Sequence, residues 1–169
     1  PIRNPNYDWT KIIPGDDSSL IWNEFYAFDD IPQVLNPESG YLFSANQNPF
    51  FVSAKEDNLD SNRFPVTMGF QTRTTNRAYR LFELLDDDLS ITYKEMDIYK
   101  HDNKFSYNSR QYKFLERIFN HDYSGNKRLV EAKSFLKEWN LGTDKDNMHA
   151  AFGVCILSPE WLAEIKRKP

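Results

Sequence analysis

The side chains able to do chemistry are few, and their spacing fits little of the known repertoire. His101, His121 and His149 stand in no HExxH or paired arrangement, so each is expected to be a solvated or hydrogen-bonded histidine at a helix end. Asp86-Asp87-Asp88 has the composition of a metal site. It follows one helical stretch and precedes another, however, where negative charge near the next helix N-terminus is favoured by the macrodipole. The stretch Asp122-Tyr123-Ser124-Gly125-Asn126 is rich in oxygen ligands, yet its glycine is misplaced for a calcium-binding EF-hand loop and it reads as a turn. The one cysteine, Cys155, excludes an internal disulfide framework and a Cys-rich zinc site. Lying in the apolar run from Ala150 to Leu157, it reads as a buried thiol and not as a nucleophile. Asn46 and Asn48 flank a turn before Pro49, where asparagine serves the backbone by bonding to it locally. There is no GxSxG elbow, Walker loop, GxGxxG or CxxC.

The elements that must position these groups fall into two differently written segments, 1–73 and 74–169, both taken as parts of one domain. The first carries Pro1, Pro5, Pro14, Pro32, Pro37, Pro49 and Pro65 with Gly15, Gly40 and Gly69, and this punctuation predicts short strands and turns. The strongest predicted strand is Tyr41 to Asn46, launched by the turn Asn36 to Gly40; Ser19 to Trp22 is a second. Asn58 to Arg63 is polar and reads as a surface loop. From Thr74 the period becomes helical. Ala78, Leu81 and Leu85 share one face, and Thr92-x-x-Glu95 has the spacing of a capping box opening a helix through His101. Tyr112, Leu115 and Phe119 mark a third helix begun by Asn108 or Ser109. Leu129, Ala132, Leu136 and Trp139 mark a fourth that stops near Gly142. A further helix is predicted over Asn147 to Cys155, and Ser158-Pro159-Glu160 is a suitable start for a last one. The fold class expected is thus α+β.

Composition narrows the function classes. The 169 residues carry 21 basic against 25 acidic side chains, a net charge of −4, with Lys and Arg interleaved among Asp and Glu. That balance lacks the basic excess or stripe of a phosphate-binding surface, so no nucleic-acid partner is expected. A hydrophobic content of 40 % with 15 % aromatic residues is too high for a disordered polymer. The mean hydropathy of −0.71 places the apolar groups on faces and not in long runs, and no stretch approaches the ~18 apolar residues of a membrane span. Residues 1–14 lack the basic start and apolar middle of a secretory signal.

The order of several weak motifs is more informative than any one of them. Ile31 to Pro49, which contains Pro32, Val34, Asn36-Pro37-Glu38-Ser39-Gly40, the Tyr41–Asn46 segment and Asn46-Gln47-Asn48-Pro49, resembles the β-chain of the penicillin acylase family. Upstream, Tyr7-Asp8-Trp9 and Pro14-Gly15 are similar to that family's tryptophan and Pro-Gly elements. Downstream, Asn76-Arg77-Ala78-Tyr79-Arg80 resembles its Asp-Arg-x-x-Arg segment, with asparagine in place of the usual aspartate. Asp102 falls at a family aspartate, and Leu136 to Gly142 followed by Ala150-Ala151 resembles its Leu-x-x-Trp-Asp-Gly…Ala-Ala stretch.

The resemblance implies an N-terminal nucleophile hydrolase with a four-layer αββα fold, of which this chain would be an internal β-chain segment. In such enzymes a new N-terminal serine attacks an amide, with its own α-amine as base. The second asparagine of the Asn-x-Asn segment donates to the oxyanion site, which maps to Asn48; the arginine of the Asp-Arg segment orients nucleophile and asparagine, which maps to Arg77. Asn46 is the substitute donor. The spacing between Asn48 and Arg77 is longer than in the best-known members. The implied substrate is a small-molecule linear or cyclic N-acyl amide, such as a penicillin or an acyl-homoserine lactone, and the implied setting is periplasmic or secreted. No cofactor is implied. Full-length members allow a structural calcium, for which this segment supplies no supporting residues.

Residue 1 is proline, a secondary amine without side-chain oxygen or sulfur. The expectation is that the nucleophile lies on the remaining α- and β-chain segments of a parent protein, and that this chain alone does not turn over amides. A strand edge cut from a sandwich would expose unpaired N–H and C=O groups, predicting self-association through Tyr41 to Asn46. The alternative function class is a non-catalytic helical module that binds a protein partner through an exposed apolar face after Thr74.

Overall fold

The computed structural model describes residues 1–158. Its contacts divide the chain into two compact units, Pro1–Ala78 and Tyr79–Pro169, and the division falls inside a helix. Among the described residues there are five α-helices: α1 (Asn76–Asp86), α2 (Tyr93–Lys100), α3 (Arg110–Asn120), α4 (Lys127–Lys137) and α5 (Ala150–Leu157).

The first unit is built from turns. Five single 3-10 turns occur at Ser18–Leu20, Phe28–Asp30, Lys55–Asp57, Ser61–Arg63 and Val66–Met68, and none of the described residues belongs to a strand. The predicted strands are therefore corrected. Tyr41 to Phe43 forms no ladder: its backbone meets the returning segment at Phe43 N to Val52 O, 2.9 Å, without a strand on either side among the described residues. Two left-handed residues, Gly40 (φ 78°) and Asn46 (φ 58°), bracket it and prevent its extension. Over Ser19 to Trp22 a local competitor wins: Asp17 accepts the Ser19 N–H at 2.9 Å and caps the 3-10 turn. With the strands absent, the predicted exposed strand edge is absent among the described residues too.

Side chains replace the missing ladder. Asn58 accepts from Val52 N (2.7 Å) and Ser53 N (3.1 Å) and donates to Ser53 O (2.9 Å), so it acts as a surrogate strand. The fully buried Ser53 hydroxyl donates to Tyr41 O at 2.8 Å and lies 2.9 Å from the Ser39 hydroxyl. Aromatic rings pack beside them: buried Phe43 meets half-buried Phe51 edge-on at 5.6 Å, and half-buried Phe50 contacts Phe64 at 5.4 Å and the exposed Phe70 at 5.9 Å.

The second unit follows the helical pattern closely. Thr92 and Glu95 form both halves of the capping box. Ser109 caps α3 through Tyr112 N, and Asn126 caps α4 through Arg128 N and Leu129 N. The core is Leu115, Leu136, Trp139 and Leu141, with Phe105, Tyr112, Ile118 and Phe119 packed against it. Leu129 departs from its expected face and is 46 % exposed. Trp139 lies beyond the end of α4, and the chain turns at Leu141, whose φ of 65° is held by full burial and by the Phe105 N to Leu141 O bond at 3.0 Å. Helix α5 begins three residues later than predicted, since Asn147 serves instead as a turn residue that accepts from His149 N. Cys155 is exposed, which corrects the buried thiol: α5 is apolar all round, so its composition does not choose which face turns inward. The helix expected from Ser158-Pro159-Glu160 lies outside the described residues.

Candidate active site

The turn carrying the two asparagines is held by its own side chains. Gln47 spans it, accepting from Ala45 N and donating to Phe43 O at 2.9 Å. Asn48 closes the exit, where its Oδ1 accepts from Phe50 N at 2.9 Å in an Asx turn. Its amide group reaches in the other direction, donating to Thr72 O at 2.9 Å and to Thr74 Oγ1 at 3.3 Å. Asn48 is 7 % exposed, and both hydrogens of its NH₂ are engaged within the protein.

Asn46 is placed differently. It is exposed, in the left-handed conformation that asparagine tolerates, and its Oδ1 accepts from Arg77 Nη2 at 2.6 Å. The same Nη2 approaches Ala45 O at 3.4 Å, and Thr75 Oγ1 reaches that carbonyl at 3.5 Å. Arg77 is carried in the first turn of α1, whose start is set by Thr75 accepting from Ala78 N at 3.3 Å. The structure thus brings Arg77 to Asn46, not to Asn48. Among the described residues the Asn46 NH₂ has no hydrogen-bond partner, and a cation on its oxygen polarises the amide so that these N–H groups become better donors.

A second charged pair, Arg80 and Asp102, forms a two-pronged ion pair with Nε–Oδ1 and Nη2–Oδ2 both at 2.9 Å. Glu83 joins it at 3.3 Å from Arg80 Nη1 and accepts from Ser106 Oγ and from Asn108 Nδ2. Burial pushes the Asp102 carboxyl up, but the Arg80 guanidinium and the Lys104 backbone N–H outweigh it, and the carboxyl lies below its ordinary range. The same partnership raises Arg80. Sequence reasoning missed this network; the signal available was that both residues fall on family motifs separated by a single helix and turn.

The remaining candidates are accounted for locally. Asp88 accepts from Tyr99 Oη at 2.7 Å and Ser90 N at 3.0 Å, and it pushes the Tyr99 phenol up to about 12. Asp122 turns the chain by accepting from Ser124 N at 2.8 Å. His101 and His121 cap the C-termini of α2 and α3, as expected of helix-end histidines. His149, just before α5, departs from that expectation: its ring lies tilted against Phe135 at 4.3 Å and its Nδ1 is buried without a hydrogen-bond partner among the described residues. Among the described residues no group of His, Cys, Asp and Glu side chains is placed to hold a metal ion, and no helix is long and apolar enough to cross a membrane.

No solved structure matches the chain. The family model for penicillin amidase matches residues 1–165, nearly the whole sequence. A match over that length places the chain in the penicillin amidase family of acylase-type amide hydrolases.

Proposed function

We propose that this chain carries the oxyanion-stabilising part of an N-acyl amide hydrolase site, in which Asn46 is the donor, Arg77 holds and polarises it, and Asn48 braces the turn. Attack of a hydroxyl or thiol nucleophile on an amide carbonyl moves the C=O electron pair onto oxygen. The Asn46 Nδ2–H groups meet that charge. Collapse of the tetrahedral species expels the amine and leaves an acyl ester or thioester, which water then hydrolyses. A neutral amide suits the role, because it supplies a fixed dipole without adding a second charge beside the arginine.

The observation that carries this reading is the contrast between the two asparagines. Asn48 has both amide hydrogens committed to Thr72 and Thr74, whereas Asn46 has its oxygen clamped by Arg77 and its NH₂ open to a ligand. The nucleophile is assigned to a segment outside this chain. The buried hydroxyl of the first unit, Ser53, is committed to Tyr41 O and Ser39, and Thr75 Oγ1 to Ala45 O and Ala78 N. Substrates of this reading are small N-acyl amides of the penicillin or acyl-homoserine-lactone kind.

The test is kinetic, in the processed enzyme containing this chain and with a chromogenic N-acyl amide. Asn46→Ala is expected to lower kcat about 100- to 1000-fold with KM little moved, as for loss of a donor that acts on transition-state charge. Asn48→Ala is expected to hold kcat within about tenfold of wild type while folded. The opposite pattern would move the donor to Asn48, and no rate loss in either variant would sink the oxyanion reading.

A further inference from the structure

The first unit contains an open cleft of about 890 Å³ that the amide chemistry does not use, lined among others by Arg3, Tyr7, Trp9, Gly69, Phe70 and Arg73. Arg3 is its unusual member. Its guanidinium carbon lies 5.5 Å from the centre of the Trp9 ring, a cation–π distance, and the ring is itself pinned by Trp9 Nε1 donating to Asn4 O at 2.8 Å. Gly69, at φ 72°, packs against the same guanidinium so closely that a Cβ there would overlap its Cζ and both terminal nitrogens. The side chain is thus held from two sides. Yet among the described residues Arg3 Nε is buried without a hydrogen-bond partner, and no carboxylate there forms an ion pair with the guanidinium.

A clamped, half-buried guanidinium whose Nε has no acceptor is costly unless something meets it. The acidic group of the cleft, Asp8, is already taken by Thr10 (2.6 Å) and Lys11 (3.1 Å), and the Tyr7 hydroxyl is committed to Asp17. Arg73 adds a second positive charge to the lining. The planar fork of arginine matches a carboxylate in two parallel bonds, and the walls of Tyr7, Trp9 and Phe70 accept an apolar body.

We propose that this cleft is a binding subsite for a small-molecule carboxylate with an aromatic or apolar body, held by the Arg3 fork and assisted by Arg73. It stands on observations independent of the Asn46 site. The probe is benzoate, with benzamide as its neutral isostere, titrated into the full 169-residue chain. The readouts are calorimetry and the Arg3 Nε–H signal by NMR.

Benzoate is expected to bind and shift the Arg3 Nε–H, and benzamide to bind at least about tenfold more weakly. Arg3→Gln is expected to lose at least about tenfold in benzoate affinity, with folding checked by circular dichroism. Should that variant fail to fold, Arg3→Lys keeps the charge, drops the fork and is expected to lose the preference for benzoate over benzamide. Equal binding of the two probes would reduce the cleft to an apolar groove. Undiminished affinity in the folded Arg3 variants, or an absence of benzoate binding, would equally overturn the proposal.

Discussion

Arg77 Nη2 lies 2.6 Å from Asn46 Oδ1, joining residues 31 positions apart and fixing the side chain of a turn to the first turn of a helix. The bond is charge-assisted and shorter than an ordinary N–H···O contact. It does two things at once. It removes the rotational freedom of an exposed amide, and it draws electron density toward Oδ1, leaving the NH₂ of Asn46 more acidic as a donor.

Arg77→Lys should separate charge from geometry. A lysine ammonium preserves the positive charge but lacks the rigid, planar guanidinium whose Nη2 reaches both Asn46 Oδ1 and Ala45 O. In the processed enzyme kcat is expected to fall about 10- to 100-fold, with Arg77→Gln falling further and KM steady in both. Steady-state kinetics on a chromogenic amide would report this. A raised KM with unchanged kcat would make Arg77 a ground-state binding residue instead.

Asn48 should act on stability. Replacing it with alanine strands Phe50 N and Thr72 O together, in a site that is 7 % exposed. The expected cost is about 1–3 kcal/mol, seen as a lower urea midpoint with unchanged slope. A variant as stable as wild type would show that water takes over these bonds.

The Asp102 carboxylate sets an acid limb on stability. Its folded pKa is depressed below the ordinary 3.8, so its contribution is complete above about pH 4 and is lost as pH falls through the folded value. Asp102→Asn should therefore be less stable than wild type at neutral pH, by roughly 1–2 kcal/mol for an ion pair that water still partly reaches. The gap should close as pH falls through the depressed folded value, where the wild-type carboxyl itself takes up its proton. Denaturant titrations at several pH values test the sign, and a gap that widens toward acid would contradict it.

Gly153→Ala probes the helical core. An added Cβ would overlap the Trp139 ring, which cannot retreat freely because its Nε1 donates to Gly142 O at 2.8 Å. A destabilisation of about 1–3 kcal/mol is expected from this overpacking. Cys155→Ser, on the same helix and exposed, should stay within about 0.5 kcal/mol of wild type. Thermal unfolding of the two variants side by side checks the contrast, and equal melting temperatures would show that Trp139 can move.

What the residues determined by themselves were helix caps and faces set by neighbours close in sequence. The Thr92–Glu95 box, the Ser109 cap and the face shared by Leu115 and Phe119 are satisfied within one helical turn, so spacing alone carries them. The family, too, is legible, since it rests on the order of motifs. What only the tertiary structure decided was everything requiring a partner from elsewhere. Tyr41 to Asn46 has the composition of a strand, but a strand exists only with a ladder beside it, and here Asn58 and Ser53 meet its neighbourhood's bonds instead. Cys155 is exposed because an all-apolar helix does not select its buried face. Asn46 and Asn48 are the same residue type two positions apart in one turn, and nothing local tells them apart. Their roles part because Arg77 arrives at one while Thr72 and Thr74 take up the amide of the other, a choice made by chain segments more than twenty residues away.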